Sequence, residues 1–279
     1  MKISYCISTK NRGDQLNNSL FALANQKMDK KDYEVIVVDD NSEENIEEIC
    51  LRYKNLINFH YLKLQHDYGW RDCSIGLNFA LRRAKGEIWV ISHPEIIISE
   101  YGLDILYYTH FGKYKYRQLC MGQHDKLWVT LPPVWMEEND KFNQEEWLSL
   151  GHKSYLLKHY DKNILSPCLN MGEGWSNFVT ASMKREIWQR LGGLYEFESW
   201  GSIDPNIRYR RINIDVTDVV IDNNYDAVSL HQYHESSEKR NLGNSQIESR
   251  PQSEIILMNL HEQTEKQRSK EIKKEWSYS

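Results

Sequence analysis

Across roughly its first 95 residues this chain alternates short β-prone apolar runs with helical patterns, which constrains its fold more than any other feature. Residues 3–8 make one run, 33–38 ("YEVIVV") a second, 57–64 ("INFHYLKL") an alternating third and 87–92 ("EIWVIS") a fourth. Between them, Leu16, Leu20 and Leu23 share one helical face, and Ile46, Ile49, Cys50 and Tyr53 recur at i, i+3, i+4 and i+7. Residues 74–84 read as a third helix, closed by Lys85-Gly86. This order predicts the α/β class, with a Rossmann-like, mostly parallel sheet flanked by helices. Ligands of such sheets gather at the carboxyl ends of the strands. Three polar groups fall just past those ends: Ser8 to Arg12, Asp39-Asp40 and His93 to Glu95.

Each group has a structural reading and a chemical one. Asp39-Asp40 could solvate a strand end and start the Asn41-Ser42 turn, or accept hydrogen bonds from a ribose or a base. In "ISHPEIII" (91–98), Pro94 supplies no ladder N–H and so ends a strand. His93 and Glu95 are then either exposed flanks or a mixed N/O pair that Mn²⁺ accepts more readily than Mg²⁺. Asp204 precedes Pro205, an ordinary helix-start signal, yet a carboxylate in a cleft also serves as a general base. His231 and His234 lie three apart beyond a strand-like run, and that spacing alone leaves them structural or exposed.

Beyond residue 100 the pattern loosens. The stretch from about 100 to 175 is less regular, 177–191 reads as a strand into a helix ended by Gly192-Gly193, and strand-like runs recur near 216–221 and 226–230. From residue 236 the chain turns polar, and 252–274 reads as a charged helix with one apolar patch, "IILMNL". That tail could dock on the domain, mediate self-association or touch a membrane surface; docking is the preferred reading. The domain reading is a 1–235 unit, split into 1–98 and 99–235 halves, with a 236–279 helical tail.

Composition adds bounds. A net charge of −5 with 27% charged residues gives no reason to expect nucleic acid as partner. Five scattered cysteines read as free thiols in a reducing compartment. No basic-then-apolar leader and no apolar run long enough to span a bilayer are visible, so a soluble, cytoplasmic protein is expected. The nine Trp and 17 Tyr are either ordinary core and surface aromatics or a cleft that stacks on ring-shaped ligands.

Taken in order, "ISTKNR" (7–12), "IVVDDNS" (36–42), "GLNFALRRAKGE" (76–87) and "SHPE" (92–95) resemble the successive motifs of family-2 glycosyltransferases of GT-A fold. "GGLYEFESWGSID" followed by "SLHQYH" resembles the "WGGED…H" region of the chondroitin-polymerase and galactosyltransferase types, so the likeness runs over residues 3–234. It implies an inverting transfer of a sugar from a nucleotide-sugar donor, usually UDP-linked, to a hydroxyl of a glycan acceptor. Ser8, Lys10 and Arg12 would line the nucleoside pocket, Asp40 would meet the base, Asp39 the ribose side, and Arg71 the nucleotide. Glu95 stands at the last position of D-x-D, which holds Mn²⁺ or Mg²⁺; His93 stands at the first, which meets ribose or metal. Asp204 matches the catalytic Asp and His231 the late metal-binding His. Trp175, Trp200 and Gly201 are the expected acceptor contacts, while Trp128 and Trp135 are aromatics without an assigned role. Two departures stand out: D-x-D is His-Pro-Glu, and the Glu of the "ED" pair is Ile203. They motivate a rival, a catalytically silent nucleotide- or glycan-binding module. A sugar-phosphate nucleotidylyltransferase ranks lower, since "STKNRGDQ" has one Gly where a Gly-rich phosphate loop is needed.

Overall fold

The structure, a computed structural model, describes residues 1–67, 71–119, 122–160, 165, 179–196, 203–221, 224–234 and 268–278, with Arg117, Asp204 and Pro205 described by their backbone. Its first part runs β1 (Ile3–Thr9), α1 (Gly13–Ala24), β2 (Tyr33–Asp40), α2 (Ile46–Tyr53), β3 (Asn58–Leu64), α3 (Ser74–Arg83) and β4 (Ile88–Ser92). The expected alternation is therefore present. These strands pair in parallel in the order β3-β2-β1-β4. Every residue of β1, β2 and β4 is buried, which is why their sequences are continuous apolar runs. Gly86 is required where the chain enters β4: a Cβ there would lie 2.5 Å from the backbone nitrogen of Ser4.

The chain continues through β5 (Ile96–Ile97), α4 (Gly102–Thr109), β6 (Tyr116–Gln118), β7 (Gln123–Thr130), β8 (Pro133–Trp135), α5 (Gln144–Leu150), α6 (His152–His159), β9 (Thr180–Lys184), α7 (Arg185–Leu191), α8 (Ile203–Ile212), β10 (Val216–Ile221), β11 (Ser229–His231) and β12 (Ile272–Tyr278). The large sheet has the order β12-β3-β2-β1-β4-β9-β7-β10-β6, and β5-β11-β8 form a small second sheet. Past β4 the pairing changes: β9 is antiparallel to both β4 and β7, β10 is parallel to β7, and β6 is antiparallel to β10. The β3-β2-β1-β4 part is thus parallel, as expected, and the sheet as a whole is mixed. The two halves divided at residue 98 share this one sheet.

Alternation along the strands separates two cores. Tyr5, Ile7, Val35 and Val37 face α1 and α2 with Leu16, Leu20, Leu23 and Cys50. Cys6, Ile36 and Val38 face α3, and Trp128 and Trp188 continue that layer. A third cluster, with Trp147 and Tyr155, joins α5 and α6 to the small sheet. Buried His152 ties them: Trp147 Nε1 donates to its Nδ1 at 3.1 Å, so its Nε2 carries the proton and donates to the Val228 carbonyl at 2.6 Å. That bond fixes the entry to β11.

The end of the chain corrects the sequence reading. Over the described residues 268–274, the expected helix is instead a 3₁₀ turn at Ser269–Glu271 followed by strand β12, antiparallel to β3 at the sheet edge. Its physical reason is packing at one residue: half-buried Trp276 stacks on Phe59 and Tyr61, with centroids 5.7 and 5.2 Å away, while Lys273, Lys274 and Glu275 are exposed. One aromatic anchor among charged residues carries too little apolar periodicity to be read as a strand. Residues 235–267, which include "IILMNL", lie outside the described residues.

Candidate active site

The carboxyl ends of β1 and β2 turn outward through two residues in the left-handed region, Asn11 (φ 50°) and Asn41 (φ 61°). Asparagine tolerates this conformation better than other side-chain-bearing residues. Hydrogen bonds then join the two loops: the Asn11 amide donates to Ser42 Oγ at 2.9 Å, the Glu43 amide to Asn11 Oδ1 at 2.8 Å, and the Gly13 amide to Glu44 Oε2 at 2.6 Å. Lys10 reaches across, donating to the carbonyls of Asp40 (3.1 Å) and Asn41 (3.3 Å). Partial burial lowers its pKa.

Successive residues of β2 face opposite ways, so Asp39 and Asp40 have different surroundings. Asp39 is fully buried; it accepts from the Ser42 amide at 2.8 Å and the Tyr61 hydroxyl at 3.1 Å, with the Lys63 ammonium 3.4 Å away. Asp40 lies on the α3 side with Ser8 and accepts from Arg71 Nη2 (2.6 Å), Arg71 Nε (3.0 Å) and His66 Nε2 (3.2 Å). Burial pushes its pKa up, but the bonds from His66 and Arg71 outweigh this and hold it below its ordinary value. Arg71, expected at the nucleotide, is itself buried between Asp40 and Glu271, whose Oε2 is 2.9 Å from Nη1. From there ion pairs run on through Glu271–Arg268 (3.2 Å) and Arg268–Glu196 (3.3 Å). Asn78 of α3 also donates to Glu196, at 3.0 Å. The C-terminal segment therefore supplies two links of a network that joins β2 to the segment preceding α8.

Beyond β4, the Ile96 amide donates to the His93 carbonyl at 3.2 Å. His93-Pro94-Glu95-Ile96 is thus a β-turn with proline at its second position, where its fixed φ is favoured. The turn carries Glu95 toward the end of β11. There the backbone carbonyl of Glu95 accepts from the Gln232 amide at 2.9 Å, and Oε1 lies 3.8 Å from His231 Nε2 and 3.4 Å from His234 Nε2.

Glu95, His231 and His234 form the candidate metal centre, with ligand atoms all within 4.8 Å of one another. Two imidazoles and a carboxylate suit Mn²⁺ better than the all-oxygen shell Mg²⁺ prefers. Their protonation also fits. Burial alone would raise Glu95, but hydrogen bonding to His234 and the charges of His93, His231 and His234 hold it down to about 2. Burial pushes His231 down to about 4. At neutral pH the site thus presents an ionised carboxylate beside an uncharged imidazole, the forms a cation needs. His234 also accepts from Arg12 Nη2 through Nδ1 at 3.3 Å, which places its proton on Nε2. Serving as a ligand through Nε2 requires the other tautomer, and so requires Arg12 to turn away.

The family resemblance groups Glu95 and His231 with His93; among the described residues it is His234 that lies with them. Its i, i+3 spacing from His231 was visible, but only the turn after β11 brings both rings to Glu95. Thr9, passed over beside Ser8, holds a buried hydroxyl with no hydrogen-bond partner among the described residues. Ser8 packs against α3, where a Cβ on Gly76 would meet its Oγ at 2.2 Å. Asp204 lies in the first turn of α8, one residue after the helix opens at Ile203. Its side chain, with Trp175, Trp200 and Gly201, lies outside the described residues. Trp128 is fully buried, its ring against the Arg211 guanidinium at 3.9 Å.

With a parallel β3-β2-β1-β4 sheet and polar loops at its carboxyl ends, the chain belongs to the family-2 glycosyltransferases, with the GT-A fold. The model of glycosyl transferase family 2 matches residues 4–93, which end at the His-Pro-Glu turn. The chain is similar to chondroitin synthase of Escherichia coli, 40% identical over 224 residues, covering 75% of this chain and 32% of that protein. It is also similar to the poly(ribitol-phosphate) β-N-acetylglucosaminyltransferase TarP of Staphylococcus aureus, 30% identical over 125 residues, 44% of this chain and 36% of that protein. The chain thus spans about a third of these relatives. Among solved structures, TarS 1–349 of S. aureus in complex with UDP-GlcNAc superposes with a TM-score of 0.57 at 17% identity, covering 85% of this chain and 60% of that one. The mannosyltransferase PcManGT of Pyrobaculum calidifontis, solved with GDP-Man and Mn²⁺, gives 0.52 at 17% identity over 86% and 58%. No helix among the described residues is long and apolar enough to cross a membrane.

Proposed function

We propose that this chain is a metal-dependent, inverting glycosyltransferase that moves a sugar from a nucleotide-sugar donor, UDP-linked by family resemblance, to a hydroxyl of a glycan acceptor. The observation that carries this reading is the convergence of Glu95, His231 and His234 at the carboxyl side of the sheet, beside the joined loops after β1 and β2. It supports metal use despite the altered D-x-D, because His-Pro-Glu keeps a carboxylate where a metal-binding set can form. TarS bound UDP-GlcNAc and PcManGT bound GDP-Man with Mn²⁺; both support a nucleotide-sugar donor here, and the second supports a divalent cation.

In this reading Glu95, His231 and His234 hold the cation, which when bound offsets charge on the diphosphate leaving group. Lys10, Arg12 and the end of β2 receive the nucleotide. Asp204 takes the proton of the acceptor hydroxyl, whose oxygen forms the new bond to the anomeric carbon. The bond from that carbon to the diphosphate oxygen breaks on the opposite face, and the nucleoside diphosphate departs with its electron pair. In-line attack of this kind inverts the anomeric centre.

The test is UDP release from a panel of UDP-sugars with Mn²⁺, with and without glycan acceptors. Asp204→Asn should keep donor binding and lose about 10²–10⁴-fold in transfer. Unchanged transfer by that variant rejects the base assignment, and absence of UDP release under every condition favours the silent module.

A further inference from the structure

The small sheet places a further side chain in register with His231 of the candidate metal centre. His231 of β11 pairs with Ile96 of β5, the residue after Glu95, and on its other side with Trp135 of β8. One row across this sheet therefore carries Ile96, the His231 imidazole and the Trp135 indole, with Glu95 one residue before the row. The Trp135 ring lies on the His231 ring, with centroids 3.8 Å apart and planes inclined by 33°, and the His234 ring follows 5.4 Å beyond His231.

Trp135 is 54% exposed, whereas Trp128, Trp147 and Trp188 are each at most 1% exposed. The residues before it on β8 are buried, so the strand is anchored and only its last side chain opens to solvent. A single exposed aromatic is ordinary on a protein surface. This one differs because one face is set by a ring of the metal centre and much of the remainder is open. Its orientation is thereby fixed before any ligand arrives, which lowers the ordering cost of binding.

A flat, oriented indole beside a polar site fits a pyranose, whose ring face offers C–H groups for stacking and whose hydroxyls point to the rim. Position decides which sugar. The nucleotide loops follow β1 and β2, and the small sheet runs from Glu95 through His231 to Trp135. Arg12 of the loop after β1 meets the centre at His234, whereas Trp135 meets it at His231, so the indole and that loop contact different members of the centre. Resting on the glycosyltransferase reading above, we propose that Trp135 is the stacking platform for a sugar ring of the glycan acceptor.

The experiment is a glycan array probed with the full chain, with and without UDP and Mn²⁺, for wild type, Trp135→Ala and Trp135→Phe. Wild type should bind a set of glycans, the alanine variant should bind that set at least about tenfold more weakly, and phenylalanine should restore most of the binding. Melting temperatures of the three proteins establish that each is folded, and phenylalanine preserves the fold if alanine does not. Glycan binding unchanged in the alanine variant, loss not rescued by phenylalanine, or no glycan bound by wild type each overturns the platform. UDP release in the same preparations tests the underlying reading separately. Glycan binding through Trp135 without turnover of any donor rejects the enzyme and leaves the platform standing.

Discussion

Replacing Arg71 with methionine tests the buried network directly. Asp40, Arg71 and Glu271 are 4, 5 and 6% exposed, and the guanidinium lies between the two carboxylates at 2.6 and 2.9 Å. Methionine fills similar space but leaves both carboxylates facing each other without their shared cation. Removing one member of a buried ion pair costs about 3–5 kcal/mol, because the partner's charge stays desolvated. His66 still donates to Asp40, and Arg268 still pairs with Glu271, which favours the lower half of that range. A loss of about 3.5 kcal/mol in a domain of this size lowers the melting temperature by roughly 10 °C. Scanning calorimetry measures it. Adding Asp40→Asn to Arg71→Met removes the orphaned charge, so the double variant should melt above the single one, with a coupling of about 0.5–3 kcal/mol. An Arg71→Met protein melting within about 2 °C of wild type, or a double variant melting below the single, would refute the buried-charge argument.

Two further outcomes follow from the same geometry. Gly76→Ala places a Cβ 2.2 Å from Ser8 Oγ and 2.9 Å from Ser8 Cβ, so the end of β1 must shift; a cost of about 1–3 kcal/mol and weaker UDP binding by calorimetry are expected, and wild-type values for both would contradict the assigned contact. Acid should release β12. Hydrogen bonds from Arg83 lower the Glu275 pKa, and at Glu47 the bonds from Lys274 and Trp276 outweigh the rise that burial causes. With folded values below the unfolded ones, the stability these carboxylates give is whole above the unfolded range and is lost as pH falls through the folded values. Hydrogen-exchange protection of residues 273–277, corrected for intrinsic rates, should fall between about pH 7 and about pH 3; constant protection would show that neither pair holds the strand.

The parts of this site that could be read from sequence are those made by neighbouring residues. β1, β2 and β4 are buried on both faces, so their apolar runs, and the polar residues that end them, were plain. Pro94 marked the turn that carries Glu95. What escaped depends on distance along the chain. Arg71 and Glu271 meet across 200 residues, and no local pattern announces that pairing. His234 gains meaning only after β11 forms beside β5. Strand β12 was hidden by its own chemistry, since an edge strand that half-buries one aromatic and exposes three charges has little amphipathic signal.

The pairing of β12 with β3 also sets a timetable for folding. Contacts such as His60 with Glu275 span 215 residues, so the parallel half cannot complete its edge when its own strands have formed. At about 5–20 residues per second of synthesis, β3 waits on the order of 10–40 s before β12 emerges. During that interval its outer backbone groups are open to any extended segment nearby, the condition under which sheets pair wrongly between chains. Lys63 and His60 on that strand interrupt its apolar surface while it waits, and both later find partners: Lys63 the buried Asp39, His60 the arriving Glu275.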